Sequence, residues 1–145
     1  MGKRRKARVL ALQVMYQHDA GPLPVEEFFG AFWDSQPRQG QEVRHFTEEL
    51  VRGTIEHLDD LDRLVQEYSS HWPPGRMAMI DRNILRLAIF EILHRDDIPP
   101  KVSINEYVDI AKKFSTQESG AFVNGILDRT YREAGVRTEG SGGSG

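Results

Sequence analysis

The sequence predicts an all-α bundle of six or seven helices. Apolar residues recur at spacings of three and four along most of the chain, and no segment alternates with the period of two that a half-buried strand shows. The connections between these segments are short, which is typical of helical bundles. A chain of 145 residues is long enough to bury a sizeable core as one domain without disulfide bonds or metals.

Four helices are predicted in the first half of the chain. The first spans residues 3–18, where Lys and Arg side chains share the helix with an apolar face. A short second helix follows Pro24, whose fixed φ suits a first helical turn, and residues 35–41 are predicted as a loop. Two further helices meet near Leu58 and end at the Trp-Pro-Pro-Gly break of residues 72–75.

Three helices are predicted in the second half. The segment 77–94 is apolar around most of its circumference, so we expect it to be the central and most buried helix. The last helix is predicted to end at Gly135, a residue type favoured after helix C-termini. Capping-box patterns are predicted to begin the last two helices: Ser103 with Glu106, and Ser115 with Glu118.

Charge is distributed unevenly along the chain. The 19 basic and 22 acidic residues give a net charge of −3. Five of the basic residues precede Asp19, the first acidic one, and without them 14 basic residues face 22 acidic ones, or −8. A basic segment on an acidic body is typical of a protein with one anionic partner site, although a disordered start with surplus charge remains an alternative. The five are Lys3, Arg4, Arg5, Lys6 and Arg8.

Several classes of protein are excluded or disfavoured. The absence of Cys excludes a disulfide framework, thiolate zinc sites and a cysteine nucleophile. No apolar run approaches the roughly 20 residues of a membrane span, so a cytoplasmic protein without a membrane partner is the default. No motif of a catalytic, metal or nucleotide site is complete, and the acidic residues 59–62 lack the glycine of a calcium loop. We therefore predict no enzyme activity, catalytic residue, metal or cofactor.

The basic first helix predicts binding to single-stranded RNA. Its cations can neutralise several phosphates, and the release of their counterions favours association. Long duplex DNA is disfavoured because most of the protein would repel it. Tyr16 and Phe122 are candidates for stacking on bases, with core packing as the alternative for both. Three lysines either extend the basic edge or are simply solvated: Lys101, Lys112 and Lys113.

A series of motifs occurs in a characteristic order along the chain. They read RRKAR at 4–8, DRNILRLA at 81–88, IPPKV at 98–102, INE at 104–106, AKKF at 111–114 and FVNGILD at 122–128. In order and spacing the chain resembles the bacterial NusB family of antitermination factors over about residues 3–133. Residues 20–75 match that family only in helical pattern.

The resemblance implies about seven helices in two packed subdomains. These subdomains would span about residues 3–70 and 76–134 within a single domain over residues 1–137. Residues 138–145 are rich in Gly and Ser, and we predict that they form a flexible tail or an added segment.

The resemblance also implies a function in transcription antitermination at ribosomal RNA operons. NusB-like proteins bind the boxA element of nascent RNA with the ribosomal protein NusE, within an RNA polymerase complex. By motif, residues 3–8 would hold phosphates, Tyr16 and Phe122 would contact bases, and Glu118 would lie near that surface. The family's NusE contacts would fall on three residues: Asp81, Arg82 and Arg86.

The charge pattern suits a basic protein partner near the central helix. Four acidic residues are predicted around this helix and its exit, away from the cations of the first helix. We expect RNA and NusE to bind cooperatively on adjoining surfaces. The four acids are Asp81, Glu91, Asp96 and Asp97.

Two alternative functions and two oligomeric states remain open. The same fold begins some ribosomal RNA cytosine methyltransferases, so the chain could be the RNA-binding part of such an enzyme. It could also be a helical adaptor that binds only proteins. A homodimer is possible, because Phe29 and Trp33 could either seal a dimer or fill the core.

Overall fold

The fold is seen in a computed structural model that describes residues 2–22, 24–70 and 77–142, with side chains as far as Ala134. These ranges contain seven α-helices and no β-strand, which confirms the predicted all-α class. None of the described helices combines the length and apolar character that a membrane crossing requires. The helices are α1 (Lys3–Ala20), α2 (Val25–Ser35), α3 (Gln41–Glu56), α4 (Leu58–Tyr68), α5 (Met79–His94), α6 (Pro100–Phe114) and α7 (Gln117–Gly142).

Helix α5 lies at the centre of the bundle, as predicted. It packs against α1, α3, α4, α6 and α7, and Leu85, Leu87 and Ile89 are completely buried. Its apolar residues cover most of the circumference, so neighbours can pack on nearly every side. Helix α1 also packs on α3, and α6 packs on α7. The predicted boundary between two subdomains, at residues 71–75, lies outside the described residues.

Helix α2 contributes an aromatic cluster to the core. Phe29 and Trp33 are buried and stack with ring centroids 6.1 Å apart. The Trp33 indole Nε1 donates a hydrogen bond to Glu48 at 3.0 Å, which satisfies its polar group. Both residues therefore fill the core, and the alternative that they seal a dimer is not supported.

Helix α3 packs against the Phe90 ring of α5 at Gly53. A Cβ at this position would lie 2.1 Å from Cζ of Phe90, well inside van der Waals contact. A larger residue would have to displace the Phe90 ring from the core, so glycine is required here by proximity and not by backbone conformation. Helix α3 ends three residues later, and α4 begins at Leu58, where the sequence predicts the junction.

Three predicted helix ends are wrong. Helix α6 begins at Pro100, because proline at the first helical position loses no helical hydrogen bond. Helix α7 is capped by Thr116, whose hydroxyl accepts a hydrogen bond from the Ser119 amide at 2.9 Å, and not by Ser115. The helical backbone of α7 also continues past Gly135 to Gly142. A glycine inside a helix costs only about 1 kcal/mol, so it need not end one.

Candidate nucleic-acid interface

Helix α1 distributes its five cations over two faces. Lys3, Arg4 and Lys6 are exposed, Arg5 is half-buried, and Arg8 is buried. With 3.6 residues per turn, Arg8 falls on the stripe that faces the core. The first turn of α1 contains no acidic residue, so the exposed cations oppose the positive end of the helix dipole. A bound anion would relieve this repulsion.

Arg8 forms a buried bidentate ion pair with Glu91 of α5. Its Nε and Nη2 atoms each lie 2.9 Å from a carboxylate oxygen, and its side chain is 2% exposed. Ser103 donates to the same carboxylate at 2.9 Å, and Tyr107 donates a further hydrogen bond to it. Burial raises the pKa of Tyr107 well above its ordinary value, and the negative charge of Glu91 raises it further.

This arrangement corrects two predictions. Arg8 was expected to hold RNA phosphate, but its side chain is buried and paired with Glu91, so it belongs to the core. Ser103 was expected to cap α6, yet it lies inside that helix and donates to Glu91. Glu91 itself is completely buried, so it does not contribute to an acidic surface for a protein partner.

The more exposed cations of α1 are mostly paired with acids of other elements. Lys3 lies 3.2 Å from Glu42, and Arg4 lies 3.4 Å from Asp97. Arg5 is paired with two acids of α6, Glu106 and Asp109. The hydrogen bond from Arg5 to Glu106 is the largest cause of the raised pKa of this guanidinium. Surface pairs of this kind contribute little stability, so an RNA phosphate can compete for these cations.

Lys6 differs from its neighbours because it is exposed and makes no ion pair within the described part of the chain. It is the cation of this group that needs no rearrangement before it meets a phosphate.

Tyr16 lies near the end of α1 and is 52% exposed. This exposure favours the predicted contact with bases over core packing. Phe114 is 42% exposed and lines the same surface groove as Tyr16. Phe122 is half-buried and packs against the core, which favours a structural contribution for most of its ring.

The remaining predicted RNA-binding residues lie on α6 and α7 and are all exposed. The stem of Lys112 crosses Gly120, where a Cβ would lie 2.5 Å from its Cγ. Lys113 places its ammonium group 5.5 Å from the centroid of the Phe114 ring. These contacts bring the end of α6 and the start of α7 together. The exposed residues are Lys101, Lys112, Lys113 and Glu118.

The predicted protein-binding residues of α5 are mostly internal. Asp81 is buried and accepts a hydrogen bond from Ser119 at 2.8 Å. Arg86 is buried and bonded to Asp19 at 2.9 Å and to Asp62 at 2.6 Å. Both side chains therefore join helices within the protein, which corrects their assignment to a partner surface. Arg82 is partly exposed, so its contact with a protein partner stays a prediction.

Comparison with known proteins identifies the family. The model of the NusB family matches residues 5–132. This chain belongs to the NusB family. The NusB antitermination protein of Thermodesulfovibrio yellowstonii is 45% identical over 140 residues, which cover 90% of this chain and 93% of that protein. That of Myxococcus xanthus is 46% identical over 133 residues, covering 89% of this chain and 94% of that protein.

Solved NusB structures share the fold. NusB of T. maritima superposes with a TM-score of 0.79 at 35% identity, covering 90% of this chain and 91% of that one. A crystal structure of antitermination factors NusB and NusE in complex with double-stranded RNA matches with a TM-score of 0.80 at 26% identity. This match covers 92% of this chain and 98% of that one.

Two features of this surface could not be predicted from the sequence. The apolar spacing of α6 continues to Phe114, as it would for a core residue, but Phe114 is the last residue of that helix and is exposed. The ion pairs of Arg5 with Glu106 and Asp109 could not be predicted, because these acids lie about 100 residues from Arg5 in the sequence.

Proposed function

We propose that this protein is a transcription antitermination factor that binds boxA-type single-stranded RNA together with the ribosomal protein NusE. It acts within an RNA polymerase complex at ribosomal RNA operons, in the cytoplasm, by binding and not by catalysis. It uses no cofactor and no membrane partner. Membership of the NusB family supports this proposal, since the relatives named above are antitermination proteins.

The observation that carries the proposal is the edge formed by α1. Three exposed cations, Lys3, Arg4 and Lys6, precede the exposed Tyr16 on one helix. Cations that neutralise phosphates next to an aromatic ring on which a base can stack are the two components of single-strand binding. Lys101, Lys112, Lys113 and Glu118 extend this edge, and Phe122 contributes the exposed part of its ring.

NusE is proposed to bind near Arg82 of α5, on a surface distinct from the RNA edge. The methyltransferase alternative finds no support among the relatives, which are antitermination proteins matched over more than nine-tenths of their length. A homodimer remains compatible with the proposal, because the α1 edge does not require a second copy.

Fluorescence anisotropy with labelled RNA tests the function. A boxA-like single strand, a scrambled single strand and a duplex of the boxA-like sequence are titrated with and without NusE. We expect the boxA-like strand to bind most tightly, and NusE to tighten it about 5- to 150-fold, the usual range of such coupling. Equal affinity for the boxA-like and scrambled strands would refute sequence-specific binding. Binding of NusE without any RNA binding would establish the adaptor alternative.

A further inference from the structure

A groove of about 440 Å³ lies beside the cationic edge of α1. Four elements meet around it: the middle of α1, Gln36 after α2, Ile80 in the first turn of α5, and Phe114 at the end of α6. Leu12 and Val9 of α1 complete its apolar part.

The lining of the groove has the chemistry of a nucleobase site. Tyr16 and Phe114 are 52% and 42% exposed, so each presents aromatic surface to a ligand. Gln13, Gln17 and Gln36 add three side-chain amides, each with donor and acceptor atoms. None of the described residues that line the groove has a charged side chain. A flat, uncharged ligand with apolar faces and a polar edge matches this lining.

Cations flank the groove on two sides. Lys6 precedes Val9 by three residues and Gln13 by seven, so it lies on the same face of α1 as the lining residues. Lys113 lies beside Phe114 at the α6 end of the groove, with its ammonium group 5.5 Å from the Phe114 ring. A base in the groove would therefore have positive charge near the phosphates on either side of it.

We propose that this groove holds one unpaired base of the bound RNA strand. Tyr16 and Phe114 contact its faces, and the three glutamines recognise its polar edge. The inference rests on the proposed RNA binding and adds a specificity-determining site to it. An apolar side chain of a protein partner fits less well, because it would bury the glutamine amides without hydrogen-bond partners, which is unfavourable.

The test combines groove variants with RNA in which 2-aminopurine replaces one base at a time, since its fluorescence falls when it stacks. For the unmodified protein we expect strong quenching at one position of the boxA-like strand. Phe114→Leu should reduce this quenching, which the Tyr16 stack alone would then maintain, and weaken binding at least fivefold, as loss of one base stack does. The salt dependence should not change, because no phosphate contact is lost.

A double variant, Gln13→Ala with Gln36→Ala, tests base recognition. It should reduce the preference for the native base at the quenched position at least fivefold. Two control variants lie outside the groove. Tyr131→Leu removes a ring that is 38% exposed on α7, and Gln66→Ala removes an exposed amide on α4. Neither should change RNA affinity, and thermal melting checks that all variants are folded.

The outcomes of these experiments distinguish failure of the groove inference from failure of the proposed function. If the unmodified protein binds RNA with the expected salt dependence but Phe114→Leu binds equally well, the groove inference is wrong and the proposed function stands. If the groove variants alter self-association in sedimentation or NusE binding while RNA binding is unchanged, the groove is a protein contact and the inference is again wrong. Absence of RNA binding by the unmodified protein refutes both.

Discussion

The carboxylate of Glu91 connects three helices through its hydrogen bonds. It is completely buried on α5, and it accepts from Arg8 of α1 and from Ser103 and Tyr107 of α6. Burial of a carboxylate costs several kcal/mol in lost hydration, which is offset only when charge and hydrogen bonds compensate it. This cluster therefore fixes α1, with its exposed cations, against the centre of the bundle.

Replacement of Arg8 should be strongly destabilising. Arg8→Ala leaves Glu91 buried without its countercharge, so we expect the free energy of unfolding to fall by about 3–5 kcal/mol. Urea denaturation measures this. Lys6→Ala, which removes an exposed cation from the same helix, should change stability by no more than about 0.5 kcal/mol. An Arg8→Ala protein with unchanged stability but weakened RNA binding would show that Arg8 is a phosphate contact after all.

His94 should make stability depend on pH. Its ring stacks on that of His57 with centroids 4.1 Å apart. Partial burial, followed by the charge of His57, lowers the pKa of His94 below its ordinary 6.5. Between the lowered pKa and 6.5 the unfolded chain binds more protons than the folded protein. The contribution of neutral His94 to the free energy of unfolding is therefore fully present above about pH 6.5, and it is lost as the pH decreases below that value.

Chemical denaturation between pH 7.5 and 5 tests this prediction. His94→Gln should flatten the decrease in stability, whereas His45→Gln, on α3 and outside the stacked His57–His94 pair, should not. An unchanged pH profile in His94→Gln would exclude this residue as the cause.

Sequence spacing could place Arg8 near the core stripe of α1, but it could not show which cation turns inward. Five cations look alike in the sequence, and the residue that selects Arg8 is Glu91, 83 positions away. The same holds for Arg86, whose partners Asp19 and Asp62 lie on α1 and α4.

At the level of elements, the start of α7 is set by local hydrogen bonds. The Thr116 hydroxyl accepts a hydrogen bond from the Ser119 amide. The Ser119 hydroxyl lies 2.9 Å from the Ser115 hydroxyl and 3.0 Å from that of Thr116. Ser119 also donates to Asp81, so the cap of α7 is joined to α5.

Thr116→Ala should shorten or loosen the start of α7. Loss of this cap is expected to cost about 1 kcal/mol, measured as the free energy of unfolding. Gln117→Ala, at the first helical position, serves as the control and should have a much smaller effect. A Thr116→Ala protein as stable as the control would contradict the assigned cap.

The sequence predicted the existence of the helices better than their ends. The periodic spacing of apolar residues and the Pro- and Gly-containing breaks located α1 to α5 closely, since apolar spacing follows directly from burial on one face. The starts of α6 and α7 were predicted at the wrong residues, because a Ser–x–x–Glu pattern satisfies capping rules wherever it occurs. Whether such a Ser caps a helix depends on partners such as Glu91, which the spacing does not reveal.

At the scale of the whole molecule, acids of other elements compete with RNA for the cations of α1. Glu106 and Asp109 both pair with Arg5. Glu106→Gln combined with Asp109→Asn should free Arg5 from its two ion pairs and raise RNA affinity, while the slope of log K against log salt stays the same, because the number of phosphates held is unchanged. A salt titration monitored by anisotropy measures both quantities.

The matched control for this double variant neutralises two acids elsewhere. Glu26→Gln with Asp60→Asn makes the same change in net charge, on α2 and α4. It should raise affinity less and leave the slope unchanged, because neither acid pairs with α1. Equal effects of the two double variants would mean that only net charge matters.

The central claim is that the exposed cations of α1 hold single-stranded RNA, and the salt dependence of binding tests it most directly. With Lys3, Arg4, Arg5 and Lys6 engaged, log K against log salt should slope at about −3, or roughly −0.7 per phosphate. Replacing Lys3, Arg4 and Lys6 by Gln should weaken binding and reduce the slope to about −1. The charge-matched control replaces three exposed arginines by Gln: Arg38, Arg63 and Arg132. We expect the control to keep the slope near −3, and the same slope in both triple variants would contradict the account.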